Sequence, residues 1–458
     1  MQQPWTVILA AGEGTRMQSS LAKVLHPLCG QPMLWHVLEA TGAITEQQLV
    51  VVGKGGEQVK EYFGEKVSYV EQHKRLGTGH ALLQTLPQLP QSGELLVLCG
   101  DTPLLETEIL KELLESHRRS KAGATVLTAE MENPTGYGRV IRDENGNVGE
   151  IVEELHATPE QQALREINTG AYCFELAALK EHLPALSPNP EKKEYYLTDL
   201  LPLLAEAGYP VGAYKLRDAF PALGINDRAQ LAQATVLLRA RINGQLMRAG
   251  VTMFDPATTY IDSKVRVGRD TVIYPQTILE GETVVGEGCL LGPATHLIDS
   301  LLKNGVTCQK STVWQSTVEE GATIGPYAYI RPESVIGPGV KIGDFVEIKK
   351  SSIGKGSKVP HLTYVGDTDV GPGVNMGAGS IVVNYDGRRK HKTTIEEGAF
   401  IGCNSNLVAP LTVGAGAFIG AGSTITRNVP SGSLVLSRTP QQVKKGFARR
   451  FLENNKEK

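Results

Sequence analysis

The chain has 458 residues, more than one hydrophobic core usually holds, so two or more domains are expected. A net charge of −3 gives no electrostatic footprint for a nucleic acid, and no apolar run is long enough to span a membrane. Six scattered cysteines with no C-x-x-C pair fit reduced thiols in a cytoplasmic protein and argue against structural zinc.

The first residues carry no charged segment leading into a long apolar core, so no secretory signal is expected. Residues 6–9 read as a short buried strand that runs into Ala10-Ala11-Gly12-Glu13-Gly14-Thr15-Arg16-Met17. Small residues after a strand let backbone N–H groups approach a phosphate closely. The loop lacks the third glycine of the dinucleotide fingerprint and the Gly-Lys-Ser/Thr of a P-loop. It is similar instead to the signature L-A-A-G-x-G-T-R-M of sugar-nucleotide pyrophosphorylases. Lys23 stands at that signature's lysine position, and Ala22 where it usually has Pro.

Residues 49–53 form a second strand candidate, followed by a helical stretch to about Phe63. Gln72 and Gly77-Thr78-Gly79-His80 come next, then a third apolar run at 95–99 closed by Gly100-Asp101. A carboxylate at the carboxyl end of a parallel strand sits where open α/β sheets place ligand chemistry, so Asp101 is the candidate metal ligand. Gly136-Tyr137-Gly138-Arg139 reads as a turn, and Gly224-Ile225-Asn226-Asp227 as the end of the domain. Strands alternating with helices predict a mostly parallel sheet with helices on both faces. Leu231, Ala234, Leu237, Leu238, Ile242 and Leu246 recur at helical spacing, which predicts one connecting helix.

Beyond it the period changes to six. Ile261, Val267, Ile273, Leu279, Val285, Leu291 and Leu297 open the series, and Ile324, Ile330, Ile336, Ile342 and Ile348 repeat it. A period of six is neither 3.6 nor 2, and it is the mark of a hexapeptide β-solenoid. Each unit contributes one short strand and one turn, and the aliphatic residue stacks on its copy in the next coil. The register slips between 301 and 318 and again by single residues after Ile348. Residues 384–392 interrupt it, as a loop thrown out from one edge would. The repeat resumes from Ile395 to Ile425 and ends after Pro430, leaving 443–458 as a basic tail.

A pyrophosphorylase-type unit followed by such a solenoid resembles the bacterial bifunctional N-acetylglucosamine-1-phosphate uridylyltransferase/glucosamine-1-phosphate acetyltransferases, across essentially the whole chain. The resemblance implies a Rossmann-like α/β unit at 1–228, a helical linker at 229–249, and a left-handed parallel β-helix at 250–458. It further implies a cytoplasmic homotrimer that binds neither nucleic acid nor membrane and supplies UDP-N-acetylglucosamine for peptidoglycan and lipopolysaccharide precursors. UTP and N-acetylglucosamine 1-phosphate would react at the first unit with release of pyrophosphate. Leu9, Ala10, Ala11, Gly12 and Lys23 would hold nucleotide and phosphates, Gln72, Gly77 and Thr78 the uracil, and Gly138, Glu153 and Asn168 the sugar. Asp101 and Asn226 would bind Mg²⁺, while Arg16 and Lys23 supply fixed positive charge. At the solenoid, His361 would be the general base on the amine of glucosamine 1-phosphate as it attacks acetyl-CoA, a task that suits an imidazole titrating near neutrality. Arg331, Lys349, Tyr364 and Asn375 would bind the sugar phosphate, and Ala378, Asn384, Tyr385, Cys403, Ala421 and Arg438 acetyl-CoA. Cys403 stands where many relatives carry Ser, and a thiol is the weaker hydrogen-bond donor. The basic run 388–392 would lie near the coenzyme phosphates.

Overall fold

The computed structural model describes residues 3–144, 146–190, 193–222 and 224–454. The chain divides into two compact units, Met1–Arg239 and Ala240–Lys458. Among the described residues, no helix is long and apolar enough to cross a membrane.

The first unit is built on a nine-stranded sheet. Its main path runs Val211–Lys215, Ala124–Glu130, Glu166–Glu175, Glu94–Cys99, Trp5–Ala10, Gln48–Val52, Ser68–Glu71. Trp5–Ala10 lies inside the sheet, with Leu9 paired to Val51 on one side and Cys99 on the other, both in parallel. Alternate side chains feed opposite faces. Val7, Leu49, Val51, Leu95 and Val97 join one apolar cluster, and Ile8, Val50, Val52, Leu96 and Leu98 the other. A strand covered on both faces needs apolar residues at both parities, so these stretches read as unbroken runs. The sheet departs from parallel at Glu166–Glu175, which is antiparallel to both neighbours and irregular between Asn168 and Tyr172. The hairpin Arg139–Arg142 with Val148–Val152 hangs from it.

A single helix, Arg228–Arg248, covers the stretch whose apolar spacing predicted one. In the second unit its Ile242 and Leu246 pack on the solenoid core. Buried Asn243 donates to the carbonyls of Pro256 (2.9 Å) and Thr259 (3.0 Å).

The second unit winds through three parallel sheets of eleven, ten and nine strands. Residues six apart fall in different sheets, and ladder partners stack within one. Ile324 pairs with Ile342, Ile330 with Ile348, and Ile336 with Ile353. The inward residues form one continuous apolar column, with no aromatic side chain in it. Where the sequence register slips, the stack does not. Leu302, Cys308, Val313 and Val318 occupy the inward seats, and their ladders to Val285, Leu291, Leu297 and Leu302 are unbroken. The missing residues come out of turns, which tolerate a change of length that the core does not.

Both ends of the repeat differ from the sequence expectation. Thr252–Met253 already pairs with Val272–Ile273, one strand before Ile261. Leu434–Val435 adds a strand on Phe418–Ile419 beyond Pro430, and part of the expected tail is a helix, Phe447–Asn454. An isolated terminal strand has too few periodic neighbours to reveal itself. Ile348 is fully buried in the column. Ile348→Ala should therefore cost about 2–5 kcal/mol, seen as a lower thermal midpoint for the second unit's transition in differential scanning calorimetry.

Candidate active sites

The carboxyl ends of Trp5–Ala10 and Glu94–Cys99 lie side by side, and the Gly100 N–H donates to the Leu9 carbonyl (2.9 Å). The glycine loop therefore meets Asp101. A pocket of about 280 Å³ opens there, lined by Leu9, Ala10, Ala11, Gly12, Lys23, Gln72, Gly77, Thr78 and Asp101. Gly77 has a φ of 97°, and a Cβ there would fall 2.5 Å from the Tyr195 carbonyl oxygen, so no larger residue fits this wall. Buried Lys23 points its ammonium at the Asp101 carboxylate and at Asn226 Oδ1 (2.8 Å). Asn226 arrives from far along the chain because the Ile225 N–H donates to the Asp101 carbonyl (2.9 Å) and Gln230 Oε1 accepts from the Asn226 N–H (2.6 Å). Two hard oxygen donors thus converge on one cation, as a magnesium site requires.

Arg16 does not line this pocket. It is exposed on the short turn Thr15–Met17, without an ion-pair partner among the described residues. Arg75, which sequence reading missed, does line the pocket, and its guanidinium pairs with Glu13 of the glycine loop. Cys99 lines it too. Burial, and then the Asp101 carboxylate, push that thiol up to about 12, so it stays neutral and donates to the Gly170 carbonyl (3.6 Å).

Gly138, Glu153 and Asn168 form a group of their own. A Cβ on Gly138 would lie 3.7 Å from both Asn168 Cβ and Glu153 Oε1, so the missing side chain is space that the three share. The Asn168 N–H donates to the Gly138 carbonyl (2.9 Å), its Nδ2 to the Tyr172 hydroxyl (2.7 Å), and its Oδ1 accepts from the Gly170 N–H (3.0 Å). Gly170 also accepts from Cys99, which ties this group to the pocket. Fully buried Arg139, at the end of the expected turn, pairs with Glu154 (2.7 Å), a partner that the motifs did not reveal.

In the solenoid, His361-Leu362-Thr363-Tyr364 turns the corner between two sheets. Tyr364, Lys349 and Asn384 meet around Asp367. Asn384 Nδ2 donates to Asp367 Oδ2 (2.5 Å) and more weakly to the Tyr364 hydroxyl (3.4 Å), and Lys349 lies 3.7 Å from the same carboxylate. Arg331 is held by Glu347 (2.7 Å) over the Tyr329 ring. Asn375 lies in the sheet of His361 as ladder partner of Lys358 and Phe400, and no hydrogen bond joins it to Tyr364 or Lys349. Ala378, Cys403, Ala421 and Arg438 form one column up an edge. Ala378 accepts from the Asn404 N–H (2.7 Å), Cys403 from the Gly422 N–H (2.8 Å), and Ala421 from Arg438 Nη1 (2.9 Å). The 384–392 loop starts at buried Asn384 and exposes Tyr385, Arg388 and Arg389. Asp386 orders it by accepting from the Arg388 and Arg389 N–H groups and from His391. Those bonds hold its carboxyl at about 2.

Comparison with known proteins settles the family. Residues 6–171 match the MobA-like NTP transferase domain, and residues 315–350 and 392–427 match the bacterial transferase hexapeptide repeat. The chain is 52% identical to the bifunctional protein GlmU of Heliobacterium modesticaldum, over 98% of each chain. It is 50% identical to that of Geobacillus sp., over 98% of this chain and 99% of the relative. It is 48% identical to that of Alkaliphilus metalliredigens, over 97% and 98%. The chain belongs to the bifunctional GlmU family.

The GlmU fold class agrees with the sequence expectation, a Rossmann-like nucleotidyltransferase unit followed by a left-handed parallel β-helix of hexapeptide repeats. Among the described residues the structure also supplies partners that no motif announced. Lys390 lies against Lys349, whose ammonium holds it below the ordinary lysine range, and Asp344 contacts His361. Gly366 makes room for the Tyr364–Asn384 contact, since a Cβ there would sit 2.5 Å from the Tyr364 hydroxyl and 2.6 Å from Asn384 Nδ2. A glycine at an outward strand position was the available signal. Gly366→Ala should therefore loosen the base of the 384–392 loop and speed tryptic cleavage after Arg388 and Arg389 several-fold, read by mass spectrometry of limited digests.

Proposed function

We propose that this chain makes UDP-N-acetylglucosamine in two steps, acetyl transfer at residues 250–458 and then uridylyl transfer at residues 1–228, with 229–249 as the link between them. The supporting observation is that Lys23, Asp101 and Asn226 meet beside the glycine loop of the first unit, while Lys349, Tyr364 and Asn384 meet around Asp367 in the second. In the first step the amine of glucosamine 1-phosphate attacks the carbonyl carbon of acetyl-CoA. His361 Nε2 takes the amine proton as the C–N bond forms, and returns it to the coenzyme sulfur as the C–S bond breaks. Arg331, Lys349, Tyr364 and Asn375 hold the sugar phosphate. The column Ala378, Cys403, Ala421 and Arg438, with Asn384 and Tyr385, holds acetyl-CoA.

In the second step a phosphate oxygen of N-acetylglucosamine 1-phosphate attacks the α-phosphorus of UTP, and the bond to the bridging oxygen breaks to release pyrophosphate. Such a step needs positioning and positive charge but no protein nucleophile. A neutral Cys99 thiol is consistent with that. Lys23 and Arg16 supply charge, the glycine loop cradles the phosphates, Gln72, Gly77 and Thr78 fix the base, and Gly138, Glu153 and Asn168 fix the sugar. Asp101 and Asn226 would hold Mg²⁺, which when bound neutralises charge on the phosphate oxygens. Both oxygens now face the Lys23 ammonium, so metal binding would exchange one cation for another.

A cytoplasmic homotrimer completes the proposal. Exposed Trp314, Tyr329, Ile381, Phe400 and Phe418 give the solenoid apolar surface for such an assembly to cover. The test follows free thiol and pyrophosphate together in a mixture of purified protein, glucosamine 1-phosphate, acetyl-CoA, UTP and Mg²⁺. With N-acetylglucosamine 1-phosphate also supplied, His361→Ala should lose thiol release alone, and Asp101→Ala pyrophosphate release alone. Loss of both activities by either change would sink the two-site reading.

A further inference from the structure

Two solenoid strands are longer than the rest. Lys341–Asp344 and Lys358–His361 have four residues each, while every other described strand of the second unit has two or three. Their ladder runs past the inward Ile342–Val359 pair to Asp344 and His361. Gly343 permits the extension, because a Cβ there would fall 1.8 Å from the Pro360 carbonyl oxygen. The Leu362 N–H then donates to the Asp344 carbonyl (3.0 Å), and the Thr363 hydroxyl to the His361 carbonyl (2.6 Å). Backbone contacts thus fix both residues, and the Asp344 carboxylate meets His361 Nδ1.

That contact assigns the tautomer. A ring nitrogen facing a carboxylate carries the hydrogen, so the lone pair lies on Nε2. The second unit has two other histidines, and both spend Nε2 on an acid, His296 on Glu280 (2.7 Å) and His391 on Asp386 (2.7 Å). Among the described residues of that unit, His361 is the histidine whose Nε2 is left free. Coil-to-coil pairs such as Lys303–Glu319 and Arg331–Glu347 are common on this surface and worth little. Asp344–His361 differs from them in what it leaves available.

We propose that Asp344 is a positioning residue for acetyl transfer, which fixes His361 with Nε2 as the proton acceptor and stabilises the imidazolium formed when the amine proton arrives. This rests on His361 being the general base. Asp344 stays ionised throughout, consistent with His361 holding its carboxyl below the usual range, and the proton leaves again to the departing sulfur. An Asn at 344 can turn its NH₂ toward Nδ1 and favour the tautomer that has no lone pair on Nε2.

The experiment uses full-length Asp344→Asn and Asp344→Ala beside His361→Ala, with thiol release and pyrophosphate release measured on each preparation. Circular dichroism melts report whether the solenoid is intact. In both Asp344 variants kcat for acetyl transfer should fall on the order of 10²-fold. KM for glucosamine 1-phosphate and acetyl-CoA should hold within about twofold, since the residue touches neither substrate. Pyrophosphate release from UTP and supplied N-acetylglucosamine 1-phosphate should be unchanged. A folded Asp344→Asn with parental kcat beside an inactive His361→Ala overturns the proposal, as does a raised KM with kcat intact. An active His361→Ala removes the general-base reading itself, which separates that failure from this one.

Discussion

No coil of the solenoid can bury its own aliphatic side chains, so each must lie flat on the next. Ile330 under Ile348, both fully buried, is the repeating contact. Everything outward inherits its spacing from that stack, because neighbouring strands sit about 4.8 Å apart. Asp344 is placed over His361, Lys349 beside Gly366, and Ala421 within reach of Arg438 by the same ruler that packs the core. Inward positions are therefore confined to aliphatic residues with an occasional Met or Cys, while outward positions are free to take on chemistry. A narrow coil also has little room for a deep cleft, so its binding groups run as columns along edges.

The first unit meets the same need to bury apolar surface with a sheet covered on both faces, and the consequence for function is different. Parallel strands deliver their carboxyl ends to one edge. Leu9 and Cys99 are ladder partners, so the glycine loop and Asp101 must be neighbours. The antiparallel strand Glu166–Glu175 then brings Asn168 and Gly170 back toward the same edge, and its irregularity turns the Asn168 side chain onto Tyr172 and the Gly170 N–H. Depth is available here, and the ligand set is a pocket instead of a column.

The two architectures also differ in how much the sequence reveals. The six-residue period exposes the solenoid because each inward seat demands the same kind of residue. The slip near 301–318 looked like a break in the pattern, yet Leu302, Cys308, Val313 and Val318 fill the seats without a gap, because turns absorb the lost residues. Met253 and Val435 escaped because a single flanking strand has no period. In the first unit the glycine loop and Asp101 were legible as local chemistry after apolar runs. Arg75 was not, since its place depends on Glu13, which lies far from it in the chain. Asp344 is hidden for the same reason, being one coil away from the histidine it serves. Arg16 shows the converse, a motif residue that stands exposed and outside the pocket lining.

Charge around the solenoid site bears on how the 384–392 loop and an anion must be coupled. Lys390 is held against Lys349, and the repulsion lowers its affinity for a proton, while Asp367 nearby only partly offsets this. Asn384 ties the loop base to that same Asp367. Two ammonium groups beside one carboxylate leave an excess of positive charge that a phosphate would neutralise. An anion placed between Lys349 and Lys390 would convert that repulsion into two attractions, so the loop position and the anion would stabilise each other. With Lys390 moved away the seat would keep Arg331 and Lys349 but lose one positive charge, so the loop would contribute to recognition through where it stands as much as through what it carries.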